Sequence, residues 1–366
     1  MIPIFEPNLT DLEKTYLFQA YDEGWISSQG RFINEFENKF AEKFDRKYGV
    51  ATSNCTTALH LSLISLGIGP GDEVICPNLT FIAPANMIAL TGSKPVLVDV
   101  EKDTWNLDPV LVEQAITKKT KAIIVVHSFG HSARMDELLE IAEKNQITII
   151  EDNAESPGGT YKGKQLGSMG KLSCFSFFAN KIITTGEGGM ILTDEEDLYH
   201  HLKELRDHGM SRNRKYLHIA LGFNYRMTNM QAAVGLAQLE RIDEILDLRK
   251  KQELLYEKFL FSQELSFRPK QDWAGTVHWM MTIQINKDRI RDKLVEYLLK
   301  RGIDSRQMIF PISHARHFQE TNNGATLPVS ESISLNSLHL PSSTQLSIKQ
   351  IKHISQTVLE GLKRCG

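Results

Sequence analysis

Cysteine is scarce. The 366-residue chain has four, Cys55, Cys76, Cys174 and Cys365, and no two form a CxxC pair. That excludes a disulfide framework and a cysteine-built zinc site, and it fits a reducing cytoplasm. Long apolar runs are missing as well. Stretches such as Ala122–Val126 and Ile147–Ile150 are far too short to cross a bilayer. The N-terminus, MIPIFEPNLT, has no charged region followed by an apolar one, so no secretory leader is expected. No charge of one sign dominates. The net charge is −3 and basic residues are scattered, so nucleic acid is not an expected partner. No histidine pair has metal-ligand spacing, and no metal is expected. Asn78-Leu79-Thr80 matches a glycosylation sequon, read as chance in a cytoplasmic chain.

What is present is an ordinary globular composition, with enough length for one large domain and a smaller one. Helical and strand-like stretches alternate between about 35 and 200. Phe36–Phe44, Ala58–Leu66, Phe81–Leu90 and Asp136–Asn145 have helical spacing. Tyr48–Thr52, Glu73–Cys76, Pro95–Val100, Ala122–Val126 and Ile147–Ile150 are short strand-like runs. Ser173–Phe177 and Met190–Thr193 continue the series, and Glu195–His208 is a charged amphipathic helix. Alternation of this kind predicts an α/β domain with a mainly parallel sheet. Met230–Leu254 reads as one long helix leading out of it. A strand over Val277–Ile285, a helix over Asp288–Lys300 with Asp288 as its N-cap, and a helix over Ser347–Leu362 predict a smaller α+β domain. The expected division is 15–245 for the large domain, with 1–14 and 246–366 forming the small one.

In open parallel sheets ligands bind at the carboxyl ends of the strands. Three such places carry chemistry. The strand before Glu151-Asp152 delivers Asp152 to its end. A buried carboxylate needs a cation, and a protonated pyridine nitrogen would serve, although Asp152 could equally cap the next turn. Lys181 follows the apolar run Phe175–Phe178, among aromatic residues. Such surroundings are expected to lower an amine's pKa and make it nucleophilic toward a carbonyl. Ser176 can donate to a phosphate, and the glycines of Gly186–Gly189 let backbone pass close to a bulky ligand. Third, Ser53-Asn54-Cys55-Thr56-Thr57 stands at a strand-to-helix junction, where backbone amides favour phosphate or simply await an N-cap. Together the three supply an amine for an aldehyde, an acid for a ring nitrogen and donors for a phosphate.

On these residues the chain resembles the DegT/DnrJ/EryC/StrS family of sugar-nucleotide aminotransferases. The likeness spans nearly the whole chain. It is carried by WISSQGRFINEFENKFAEKF, SNCTTALHLSLISLGIGPGDEVICP, EDNAES, TYKGKQLGSMGKLSCFSFFANKIITTGEGGM and GFNYRMTNMQAAVGLAQLERID in combination. FFANKIITTGEGG and NYRMTN are most similar to the perosamine-forming branch, which aminates C4 of GDP-4-keto-6-deoxy-mannose.

The resemblance implies the fold of aspartate aminotransferase (fold type I) and pyridoxal 5'-phosphate as cofactor. It implies Lys181 as the lysine that joins the cofactor's aldehyde, Asp152 as partner of the ring nitrogen, and Glu155 near the ring hydroxyl. Phe81 should stack on the ring, where relatives often carry Tyr or Trp. Cys55, Thr56 and Ser176 should hold the phosphate. Cys55 stands where Gly is common, tolerable if its backbone amide does the binding. Asn224 should reach the phosphate of a second copy, which implies a homodimer with shared sites. L-glutamate and a nucleotide-linked ketosugar are the expected substrates, in lipopolysaccharide O-antigen synthesis. Ser28, Arg214, Phe310 and His314 are the expected substrate contacts, with Ser27, Gln29 and Lys215 beside them. His127, after a strand, is expected to support the site from behind.

Other readings remain. UDP- or dTDP-linked ketosugars are alternative substrates, and a non-catalytic sensor with this fold is another alternative. Dehydratases in the family carry histidine in place of the lysine, and Lys181 argues against that. Gly67-Ile68-Gly69-Pro70-Gly71 lacks GxGxxG spacing and precedes a strand, so it reads as a helix stop and not a dinucleotide site.

Overall fold

The computed structural model describes residues 1–287, 290–319 and 326–366. The expected N-cap Asp288 lies outside the described residues. Helices α1 (Asp11–Asp22) and α2 (Arg31–Lys43) open the chain. Then β1 (Tyr48–Thr52), β2 (Glu73–Pro77), β3 (Lys94–Val98), β4 (Thr120–Val126) and β5 (Thr148–Asp152) alternate with α3 (Cys55–Ser65), α4 (Ala83–Leu90), α5 (Pro109–Ala115) and α6 (Met135–Asn145). A hairpin of β6 (Thr160–Tyr161) and β7 (Lys164–Gln165) precedes β8 (Leu172–Ser176) and β9 (Gly189–Thr193). Helices α7 (Glu196–Arg206), α8 (Asn229–Glu240) and α9 (Ile242–Phe259) follow. The rest is β10 (Leu265–Phe267), β11 (Ala274–Gly275), β12 (Met281–Ile285), α10 (Arg291–Leu299), β13 (Arg306–Gln307), α11 (Pro328–Asn336), β14 (Ser337–Leu340) and α12 (Ile348–Cys365).

A seven-stranded sheet runs in the order β1-β9-β8-β5-β4-β2-β3. Its members from β8 through β3 are parallel to one another, and β9 runs antiparallel to both neighbours. The expected mainly parallel α/β sheet is therefore present. Its central strands are buried along almost their whole length, which is why they read as continuous apolar runs without alternation. Helix α2 shows how a face is chosen. Phe32, Phe36 and Phe40 recur every four residues, and all three are buried, with Phe36 and Phe40 against Phe177. The second sheet is antiparallel, in the order β10-β12-β14-β13, and has its own apolar core with α10 and α12.

Two expectations need correction. Met230–Leu254 is not one helix. It breaks at Arg241, whose backbone (φ −108, ψ 8) caps both α8 and α9. Its guanidinium is pinned there by Glu13 of α1 at 2.8 Å and by Asn8. The strand expected over Val277–Ile285 begins only at Met281. The expected domain boundary at 245–246 falls inside α9, which contributes Ile242 and Ile245 to one core and Tyr256 to the other.

Register places the chemistry. Thr52 pairs with Gly189 and Gly189 with Ser176, so these three lie in one row across β1, β9 and β8. Asp152 pairs with Val126 on one side and Cys174 on the other. The strand ends thus gather at one edge of the sheet. There α3 begins so close to β9 that a Cβ on Gly189 would lie 2.5 Å from the Asn54 carbonyl carbon and 2.7 Å from the Cys55 nitrogen. Only glycine allows that approach.

Candidate active site

Lys181 follows β8 in a tight turn, its N–H donating to the Phe178 carbonyl at 2.9 Å. Its Nζ lies 3.6 Å from Glu155 Oε1 and 4.0 Å from the centre of the Trp279 ring. An aromatic neighbour was expected from the sequence; the carboxylate of Glu155 beside the amine was not. A carboxylate and an aromatic face both lie against the amine.

Asp152 ends β5 and is 4% exposed. Its Oδ1 accepts the Ala154 N–H at 3.0 Å, and among the described residues no cationic side chain forms an ion pair with it. Burial, reinforced by the nearby charge of Glu155, pushes its carboxyl up to about 6. Glu155 is buried too, and burial raises its pKa against the opposing pull of Lys181. Its Oε2 accepts the Phe129 N–H at 2.7 Å. Phe129 holds a left-handed backbone (φ 54), braced from the other side by Arg268, which donates to its carbonyl at 2.8 Å.

The neighbouring Glu151 points to the opposite face of the strand and has the opposite fate. Burial alone would raise its pKa, but His127 and the backbone N–H groups of Gly167, Met169 and Gly170 all donate to it, and it is lowered. His127 accepts the Ala133 N–H on Nδ1, so its proton lies on Nε2 toward Glu151 at 3.0 Å. The support expected of His127 therefore goes to Glu151 and, through its backbone N–H, to the Asp152 carbonyl at 3.1 Å.

Helix α3 starts beside this group. Asn54 caps it in a reciprocal pair with Thr57, leaving the first N–H groups, on Cys55 and Thr56, without an intrahelical acceptor. The Cys55 thiol is buried within the fields of Asp152, Lys181 and Glu155, and burial pushes it well above its ordinary value. It is no nucleophile in that state. Ser176 is buried at the end of β8.

The structure brings Lys181, Asp152, Glu155 and Cys55 together, with Ser176 in register beside them. It leaves other expected residues apart within one chain. Phe81 is 61% exposed. Asn224 is exposed, and its Oδ1 accepts from Arg226. Arg214 and Lys215 lie exposed on the arm after α7, and Ser28 sits half-buried in the loop before α2. Phe310 is exposed, with its ring facing His314, and His314 meets Glu331 at 3.4 Å. Two residues escaped the sequence reading. Trp279 is one. Asn78 is the other: wholly buried, which removes it as a glycan acceptor, it takes the Ser313 N–H at 2.9 Å and so ties the Phe310–His314 segment to the loop that carries Phe81. Among the described residues no cluster could hold a metal ion. No described helix is long and apolar enough to cross a membrane.

The model of the DegT/DnrJ/EryC1/StrS aminotransferase family matches residues 7–359. The chain belongs to that family. It is 44% identical over 361 residues to a GDP-perosamine synthase of Caulobacter vibrioides, covering 96% of each chain. It is 40% identical over 359 residues to a GDP-perosamine synthase of Escherichia coli O157:H7, covering 98% of each. A Streptococcus pneumoniae protein described as a sugar aminotransferase, solved in its PLP form, superposes with a TM-score of 0.95 at 29% identity, over 100% of this chain and 99% of that one. The fold is that of the pyridoxal-phosphate sugar aminotransferases, and pyridoxal phosphate is the cofactor.

The donor set fits this group. Asp152 is buried, with the Ala154 N–H donating to it and, among the described residues, no cationic side chain in an ion pair with it, as suits the acceptor for a protonated ring nitrogen. The open helix N-terminus at Cys55 and Thr56 suits a phosphate.

Proposed function

We propose that this chain transfers the amino group of L-glutamate to C4 of GDP-4-keto-6-deoxy-D-mannose, making GDP-perosamine for a surface polysaccharide such as O-antigen. The amine of Lys181 beside Glu155, at the strand ends next to buried Asp152, carries the reaction. The likeness to three GDP-perosamine synthases over nearly the full length supports the substrate.

When bound, pyridoxal phosphate supplies an electron sink for the charge left after an amino acid loses its α-proton. Lys181 Nζ takes that proton and returns it, as base and then as acid. Asp152 holds a proton on the ring nitrogen, and Glu155 meets the ring hydroxyl and keeps Nζ in place. The Cys55 and Thr56 amides and the Ser176 hydroxyl bind the phosphate, and Phe81 covers the ring. In this reading two copies form a homodimer in the cytoplasm, and Asn224 of each reaches the phosphate of the other. Ser28, Arg214, Phe310 and His314 meet the sugar nucleotide.

The deciding experiment incubates purified holoprotein with glutamate and a panel of GDP-, UDP- and dTDP-linked ketosugars, reading products by mass. An aminated GDP sugar with 2-oxoglutarate is expected. Amination of only a UDP or dTDP sugar would overturn the substrate. No 2-oxoglutarate with any acceptor would favour a sensor.

A further inference from the structure

Trp279 belongs to the stretch just before β12, far along the chain from Lys181, yet it touches the lysine in two ways. Its ring face lies 4.0 Å from Nζ. Its indole Nε1–H donates at 2.7 Å to the carbonyl of Asn180, the residue before Lys181. Trp279 is itself fixed. It is 8% exposed, and the buried Arg249 of α9 donates to its carbonyl at 2.7 Å. The Phe129 ring stacks behind it, 6.5 Å away at 19°.

A lysine side chain has four rotatable carbons and loses much freedom when held. Here the ring face and Glu155 take hold of the ammonium from two directions, and the indole donor fixes the peptide from which the side chain springs. We infer that Trp279 is a positioning residue for Lys181: its ring is the seat on which the amine rests whenever it is free of the cofactor, ready to move a proton. This rests on the reading of Lys181 as the cofactor lysine.

The test uses the graded series Trp279→Tyr, Trp279→Phe and Trp279→Leu, all of which remove the indole donor while ring attraction for a cation weakens along it. Holoprotein is treated with excess glutamate to free the amine, then pulsed with acetic anhydride. Labelling of Lys181 is read by peptide mass against the exposed Lys118. Labelling of Lys181 should rise along the series, reaching about 5-fold or more in the leucine variant. Over the same series kcat should fall while KM for glutamate stays. Should the leucine variant fail to fold, the tyrosine and phenylalanine variants, which keep a ring in the core, carry the test. Labelling equal to the wild type throughout, or a change in KM alone, overturns the inference. Borohydride reduction of untreated wild-type holoprotein separates the two readings. If it fixes no cofactor on Lys181, the cofactor assignment fails; if it does and labelling is flat, only the role of Trp279 fails.

Discussion

At the scale of the residue, Lys181 and Asp152 carry the sharpest expectations. Lys181→Ala should lower kcat by at least about 100-fold, the low end of what a positioned acid–base group contributes, and borohydride should no longer fix the cofactor to the chain. Activity near wild type would remove Lys181 from the mechanism. Asp152 gives a pH signature in cofactor-free protein. Its carboxyl is pushed up to about 6 in the folded chain from an ordinary value of 3.8, taken for the unfolded chain, so between these the folded state holds more protons. Stability therefore falls as pH rises through that window and stays lower above it, by about 3 kcal/mol at most. Asp152→Asn has no charge to bury. It should unfold at a higher temperature than wild type at pH 8, the gap closing toward pH 4, while losing activity. An equal melting temperature at pH 8 would mean that Asp152 finds a cation in solution. Asp152 was legible as the last residue of an apolar strand, and Lys181 as a lysine a few residues beyond another. Trp279 and Asn78 were not, because their meaning lies in contacts 99 and 235 residues away along the chain.

At the scale of the element, the junction of β9 and α3 is the critical contact. Gly189→Ala would drive a methyl into the Asn54 carbonyl and the Cys55 amide, neither of which can give without moving the helix start. The expected cost is about 1–3 kcal/mol of stability. Affinity for pyridoxal phosphate, titrated by absorbance, should fall about tenfold or more if those amides bind its phosphate, since each 1.4 kcal/mol is tenfold. Unchanged affinity would move the phosphate elsewhere. The large sheet was readable because buried parallel strands separated by helices leave a strong pattern. The second sheet was less so: β13 has two residues and β10 three, too few to show alternation. The break between α8 and α9 left no trace either. No proline or glycine marks it, and the ion pair between Arg241 and Glu13 that holds it comes from the other end of the chain.

At the scale of the whole molecule, the exposed Asn224 makes a prediction about assembly. If two chains share their sites, Lys181→Ala and Asn224→Ala, each inactive alone, should recover about a quarter of wild-type activity when unfolded together and refolded as an equal mixture. Half of the pairs would then be mixed, each with one intact site. No recovery would mean that each chain completes its own site. Light scattering should give twice the 41.5 kDa of one chain. The sheet also divides the molecule into two regimes along β5. Glu151, on one face, is saturated by donors from its own chain and can be asked for nothing more. Asp152, one peptide bond away on the other face, is left wanting. A strand that satisfies one carboxylate and starves the next has drawn the line between what the protein needs in order to fold and what it holds open for a molecule that is not part of it.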